Sequence, residues 1–259
     1  MKNYEHRKGS VKIKVFTENK TPLQKQELNI KQKNHHFLFG CNGFEIIPYA
    51  NEQLAGTAKA ETEKYIERFL DLFNFVTLPF YWGQFEPEQG KPRTKELINT
   101  ARWCKEHNLV TKGHPLSWHT LAPGWLLDMS NKEILRTQIK RIERDVKDFS
   151  GLVDMWDVIN EVVIMPIFNK YDNGLTRVCK ELGRINLIKT VFEAARSTNP
   201  KATLILNDFD ISPAYDILIE GCLEAGIEID IIGIQSHMHQ GYWGIEKTQW
   251  VLERFSRFN

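Results

Sequence analysis

The 259-residue chain has almost no net charge: 34 Lys and Arg stand against 33 Asp and Glu, leaving +1. That excludes the polyelectrolyte attraction behind nonspecific binding to nucleic acid or to an anionic membrane. Long apolar runs are missing too, with nothing near the ~20 residues a membrane span needs. The first ten residues, MKNYEHRKGS, are charged and contain no apolar signal-peptide core. Cysteine is scarce: Cys41, Cys104, Cys179 and Cys222 are scattered and form no C-x-x-C pair. No zinc spacing is visible and no disulfide scaffold is needed, which leaves free core thiols or distant pairs as the open readings. No G-x-G-x-x-G and no P-loop marks a phosphate site.

What is present is ordinary globular composition, 42% hydrophobic and 26% charged, at a length that buries a large core. Aromatics are plentiful, with seven Trp. Their flat apolar faces serve a sugar-binding cleft or a Trp-rich core equally well. Trp156 and Trp103 read as core; Trp118, Trp125 and Trp243 read as cleft candidates.

Residues 10–34 alternate, with Val11, Ile13 and Val15 before a turn-like TENKTP and Leu28 and Ile30 after it. The pattern predicts a small β-hairpin, an appendage over residues 1–34 to a domain over 35–259. From residue 35 the chain repeats apolar strand, polar loop and amphipathic helix. Strands are expected in HHFLFGCNGF, FNFVTLPFYW, LVTKGHPLSWH, MWDVIN, ATLILNDF and IDIIGIQSHMH. Among the helices between them, one begins at a capping box, Ser130 and Glu133, and carries Leu135, Ile139, Ile142, Val146 and Phe149 as an apolar stripe. Strands alternating with helices predict parallel βαβ units. Near-continuous apolar strands such as IDIIGI suit a sheet covered on both faces.

Polar and aromatic residues crowd the C-terminal ends of these strands: His114, Trp118 and His119; Asn160 and Glu161; Asn207 and Asp208; Gln235, His237 and His239. In a (β/α)8 barrel that rim is where active sites are built, and the barrel is preferred to a doubly wound sheet. Amides and imidazoles suit a polyhydroxylated ligand, giving directional hydrogen bonds without a net charge to desolvate. Glu161, among aromatics and imidazoles, is the candidate general acid. A metal site on His237 and His239 is the weaker reading of that pair.

The strand-end motifs resemble those of glycoside hydrolase family 10, the endo-β-1,4-xylanases. WDVINE resembles its W-D-V-x-N-E strand, GHPLSWH its G-H-T-L-x-W-H strand, LILNDFD its L-x-x-N-D-Y-N strand, and IDIIGIQSHMH its I-D-x-I-G-x-Q-x-H strand. They occur in the family's order. The resemblance implies a TIM barrel and a retaining, cofactor-free, metal-free hydrolase of β-1,4-linked xylan. Its partner would be a polysaccharide or oligosaccharide, with no nucleic acid and no membrane, and a monomer is expected. The family is typically secreted. By the resemblance Glu161 is the acid/base and Asn160 contacts the 2-hydroxyl at the cleavage subsite. His114 and Trp118 line that subsite, and Gln235 and His237 hold the nucleophile.

Two departures follow from the same resemblance. About six βα units are present, so the barrel reads as incomplete, and the nucleophile Glu of a seventh-strand T-E-L-D-like motif is expected beyond Asn259. At strand two, Leu78-Pro79-Phe80-Tyr81 stands where the family has a polar Glu, Asn and Lys triplet. The neighbouring subsite is therefore expected to be apolar or aromatic, favouring a decorated, shorter or differently linked substrate. The alternatives are a non-catalytic carbohydrate-binding chain and, behind it, a metal-dependent barrel hydrolase.

Overall fold

The computed structural model describes residues 9–23, 25, 27–31, 35–238 and 241–258. The chain divides into two compact units, residues 1–37 and 38–259. In the first, the expected turn is formed. Thr17 N–H donates to Thr21 O at 2.9 Å and Leu23 N–H to Val15 O at 2.8 Å, around an antiparallel bridge of Phe16 with Pro22. Among the described residues the hairpin extends no further than that bridge. Val11, Ile13, Leu28 and Ile30 are exposed, so the expected apolar face is not a buried one.

The second unit is a curled partial (β/α)8 barrel. Its elements are β1 (Gly40–Asn42), α1 (Ile46–Ala50), α2 (Gly56–Leu72), β2 (Phe75–Pro79), α3 (Trp82–Phe85), α4 (Thr94–Glu106) and β3 (Val110–His114). They continue as α5 (Asn131–Asp148), β4 (Met155–Asn160), α6 (Gly174–Leu182), α7 (Arg184–Thr198), β5 (Thr203–Asp208), α8 (Pro213–Glu224), β6 (Ile231–Ile234) and α9 (Gly244–Phe255). All six strands are parallel and lie side by side in chain order. Sequential parallel neighbours joined through helices are what repeated βαβ units produce.

Burial along β2 alternates: Val76 and Leu78 are fully buried, whereas Phe75, Thr77 and Pro79 are half-buried. A pleated strand turns successive side chains to opposite faces, so one face enters the core and the other lines the concave interior. Strands β4 and β5 are buried almost throughout, with Trp156, Val158, Leu204 and Leu206 in the core. The four cysteines are free thiols; Cys104, Cys179 and Cys222 are buried, and burial pushes their pKa values up to about 12, 11 and 12.

Helix α5 starts at the expected capping box: Ser130 accepts from Glu133 N–H, and the Glu133 carboxylate accepts from Ser130 N–H at 2.9 Å. Its apolar stripe is only partly as expected. Ile142, Val146 and Phe149 are buried, Leu135 and Ile139 half-buried, and the innermost positions also include Gln138, Arg141 and Asp145. Arg141 explains this arrangement. Its guanidinium donates to the carbonyls of Leu116 at 2.6 Å, Pro115 at 3.3 Å and Phe80, and to Asp145 at 3.2 Å. Gln138 Nε2 donates to Leu116 O at 2.8 Å. The carbonyls of Phe80, Pro115 and Leu116, just past the ends of β2 and β3, are thus satisfied from a helix, while the carbonyl of the cis His114–Pro115 peptide accepts Phe80 N–H at 2.6 Å. Burial lowers Arg141 to about 10 and raises Asp145 despite the flanking Arg141 and Arg144 charges. Helix α6, which no expected strand or capping signal announced, is a nine-residue segment, N-capped by Asn173, that packs beside α5 and α7.

Removing one partner of a buried, hydrogen-bonded ion pair typically costs about 3–5 kcal/mol. Arg141→Met is therefore expected to lower unfolding free energy by that amount in urea titration. Ser130→Ala, at the exposed cap, should lose about 1 kcal/mol. Equal effects of the two substitutions would show that Arg141 does not anchor the strand ends.

Candidate active site

Glu161 follows the last residue of β4 and adopts φ +56°, a left-handed conformation that costs a non-glycine residue about 1 kcal/mol or more. The surroundings hold it there. Glu161 N–H donates to Asn207 O at 2.9 Å, and Val163 N–H donates to Asp208 Oδ2 at 3.0 Å. Just upstream, the β4–β5 register slips between Asp157 and Ile159, a bulge of the kind that re-aims a strand end. The Glu161 side chain is 15% exposed. Its Oε2 accepts from Trp118 Nε1 at 2.9 Å and its Oε1 from Gln235 Nε2 at 3.1 Å. Two N–H donors from different strand ends therefore fix the carboxyl plane.

Asn160 is buried, and its Oδ1 accepts from Asn207 Nδ2 at 2.8 Å and Gln235 Nε2 at 2.9 Å. The Gln235 amide is thus shared between Asn160 and Glu161. Asn160 pairs with Asn207 across β4 and β5, and Asn207 pairs with Gly233 across β5 and β6. A Cβ on Gly233 would lie 2.4 Å from Asn207 Oδ1, so glycine leaves the room the Asn207 amide occupies.

On the other side of Glu161, His114 Nδ1 donates to Asp157 Oδ2 at 2.6 Å, and Lys112 Nζ lies 2.8 Å from the same oxygen. Burial alone would raise the Asp157 carboxyl, but the His114 hydrogen bond and the Lys112 charge hold it below its ordinary range. Tyr81 packs edge-on to His114 at 5.7 Å and tilted to Trp118 at 5.8 Å. His237 lines a cleft of about 710 Å³ with Glu161, Gln235, Phe209, Tyr242, Trp243 and Lys247.

Five expected residues, His114, Trp118, Asn160, Glu161 and Gln235, therefore form one connected set, and His237 borders the same cleft. Trp243 lines the cleft as expected and Trp156 is core. Trp125 instead packs on Trp82 at 5.6 Å and donates to Glu86 O at 3.2 Å, away from the residues around Glu161. His239 lies outside the described residues. Among those described, no three His, Cys, Asp or Glu side chains gather to hold a metal ion. No helix among them is long and apolar enough to cross a membrane.

Lys112 was not singled out from sequence, and Tyr81 was named there only within the Leu78-Pro79-Phe80-Tyr81 stretch. Lys112 was legible in principle, because it stands two residues before His114 on β3 and so shares its face. Two other carboxylates near Glu161 are committed elsewhere: Asp208 accepts Val163 and Asp210 N–H groups, and Asp210 accepts Ser212 N–H at 2.6 Å. Burial raises Asp208 to about 6, with the Glu161 and Asp210 charges adding to the effect.

The model of glycosyl hydrolase family 10 matches residues 47–259. An endo-1,4-beta-xylanase B from Thermotoga neapolitana is 30% identical over 212 residues, covering 76% of this chain and 58% of that protein. An endo-1,4-beta-xylanase A from Xylanibacter ruminicola is 30% identical over 183 residues, covering 65% of this chain and 47% of that protein. The chain thus spans about half the length of the curated relatives it matches. A crystal structure of xylanase 10B from Thermotoga petrophila in complex with xylobiose superposes with a TM-score of 0.68 at 25% identity, covering 85% of this chain and 65% of that one. The native xylanase 10B from Thermotoga maritima gives 0.65 at 27% identity, covering 77% and 63%.

His119 sets a pH dependence. It is buried with its ring 4.4 Å from Phe168 and its Nε2 3.9 Å from Glu161 Oε2, and desolvation lowers its pKa from 6.5 to about 4. Between those values the unfolded chain binds the extra proton. The stability His119 contributes is therefore present above pH 6.5 and is lost as pH falls toward about 4. Asp208 acts in the opposite sense, its contribution being lost as pH rises through about 6. His119→Gln should flatten the loss of urea-unfolding midpoint on acidification from pH 7 to 4.5 relative to the parent. An unchanged slope would show that His119 does not titrate on unfolding.

Proposed function

The chain belongs to glycosyl hydrolase family 10, and from that premise we propose that it acts in a retaining, endo-acting β-1,4-glycosidase that cleaves xylan or decorated xylan, with Glu161 as general acid/base. The observation that carries this reading is the Glu161 carboxyl, held by Trp118 and Gln235 beside Asn160 at the C-terminal mouth of a parallel barrel. In a (β/α)8 barrel that end is where catalytic groups converge.

In this reading the protonated Glu161 donates to the leaving glycosidic oxygen, and in the second step its carboxylate takes a proton from the attacking water. Trp118 and Gln235 keep the carboxyl in one plane, so the proton is delivered along a fixed line. Asn160 presents its amide to a substrate hydroxyl at the cleavage subsite, with Asn207 and Gln235 fixing its rotamer. His114 bonds a hydroxyl from the opposite wall through Nε2, its Nδ1 being occupied by Asp157. His237 and Gln235 border the position of the second carboxylate. Retaining chemistry needs that carboxylate about 5–5.5 Å from the acid/base. A glutamate on a strand paired to the outer edge of β6 would meet that requirement. Asp208 and Asp210 do not, since backbone N–H groups already hold their carboxylates.

The test uses the full-length protein and aryl β-xylobiosides of graded leaving-group acidity. Glu161→Gln should lose about 10²–10⁴-fold in kcat/KM where the leaving group needs protonation, the usual contribution of a general acid. Loss should be far smaller in the glycosylation step for a dinitrophenyl leaving group, which departs unprotonated. Equal losses across the series would rule Glu161 out as the acid. A wild-type protein that binds xylo-oligosaccharides without hydrolysing them would favour a carbohydrate-binding role instead.

A further inference from the structure

The mouth continues past His114 into a run of ring faces. Tyr81 follows the end of β2 between Phe80, fully buried, and Trp82, 3% exposed. Those two neighbours anchor inward, Phe80 edge-on to Phe149 and Trp156 at 4.8 Å each, whereas Tyr81 between them packs against His114 and Trp118 beside Glu161. Phe44 stacks beside Tyr81 with ring centroids 6.3 Å apart and planes 30° apart, and is itself 41% exposed. Its position is fixed by Gly43, whose N–H donates to Thr77 O at 3.0 Å and whose added Cβ would come within 2.6 Å of Val76 Cγ2. Four rings thus run in sequence, Phe44, Tyr81, His114 and Trp118, ending on the indole N–H that holds Glu161.

We propose that Tyr81 and Phe44 form a sugar platform on the β1–β3 side of Glu161 that accepts xylosyl residues capped at their hydroxyls, O-acetylated xylo-oligosaccharides being the ligand class. This rests on the glycosidase reading above and specifies its substrate. Ring faces bind the C–H face of a pyranose through apolar contact and dispersion, without consuming its hydroxyls. At a wall of amides or charges, an acetyl cap would leave buried donors and acceptors unpaired, at about 1–3 kcal/mol each. At a wall of rings the cap brings further apolar surface and leaves no polar group unpaired. Tyr81 and Phe44 are therefore specificity determinants that act on binding, while proton transfer stays with Glu161.

The test is equilibrium binding by calorimetry in full-length protein carrying Glu161→Gln, with xylotetraose and its O-acetylated form as probes. The parent should bind the acetylated oligosaccharide at least as tightly as the plain one. Tyr81→Phe should stay within twofold of the parent. Tyr81→Ala should weaken both ligands about tenfold, and Phe44→Ala severalfold, the scale of one aromatic contact. A circular-dichroism melt of each variant separates lost binding from lost fold, and Phe44→Ala changes a residue outside the core. Alanine variants that bind within twofold of the parent would overturn the proposal, as would acetylation weakening binding tenfold or no measurable binding of either probe. Failure of the acid/base reading appears separately, as hydrolysis persisting in the Glu161→Gln background. Affinities would then be read as KM values and judged by the same ratios.

Discussion

The side-chain oxygen of Asn160 is buried and accepts two N–H groups, one from Asn207 and one from Gln235, so that the ends of β4, β5 and β6 are tied to one atom. A buried amide oxygen left without donors would cost about 1–3 kcal/mol, and here both lone pairs are used. The tie also sets geometry. Gln235 reaches Asn160 and Glu161 with the same nitrogen, so the direction of the Glu161 carboxyl depends on where Asn160 sits. The left-handed backbone at Glu161 is tolerable because the chain is held on both sides of it, through Asn207 O and the Asp208 carboxylate. Gly233 belongs to the same constraint, since any side chain there would displace the Asn207 amide.

A second anchor lies behind the mouth. Arg141 gathers the carbonyls of Phe80, Pro115 and Leu116, segments that leave the sheet just before the residues that face the cleft. Arg144 continues the network to Glu86, which also accepts the Trp82 indole N–H at 3.1 Å and Gly90 N–H at 2.8 Å. Burial by itself would raise Glu86; the Arg144 hydrogen bond and the Gly90 and Trp82 N–H groups hold it below its ordinary range. The β2 and β3 loops thus owe their shape to charges set on the inner face of α5. Tyr81, which packs on His114 and Trp118, and Trp118, which donates to Glu161, stand on those loops, so stability and site geometry share one set of contacts.

Much of this was legible from the order of residues. Period-two and period-3.6 patterns separate the strands from most helices, and the polar endings HPLSWH, INE, LNDFD and QSHMH mark the mouth because apolar strands rarely finish on amides and imidazoles. Ser130 and Glu133 announce the start of α5 through a local hydrogen-bond pattern that needs no tertiary information. What escaped depends on partners distant in sequence. Nothing within α5 shows that Arg141 is buried, because its acceptors lie on loops 25 and 61 residues away. The pairing of Lys112 with Asp157 likewise emerges only when β3 and β4 lie side by side. Helix α6 was missed because the segment GLTRVCKEL is only nine residues long, although Leu175, Val178, Cys179 and Leu182 stand at helical spacing. The hairpin expectation erred the other way: alternation in residues 10–34 predicts a small β-hairpin, and among the described residues only its turn around the Phe16–Pro22 bridge is formed.

The central claim is that the Glu161 carboxyl is aimed at a glycosidic oxygen by Trp118 and Gln235. The most direct measurement is a crystal structure of the full-length protein, carrying Glu161→Gln, with a xylo-oligosaccharide spanning the cleft. The account predicts the scissile oxygen about 2.6–3.2 Å from the side chain at position 161, with the Trp118 and Gln235 contacts intact. A sugar chain bound with that side chain turned away from every glycosidic oxygen would contradict it.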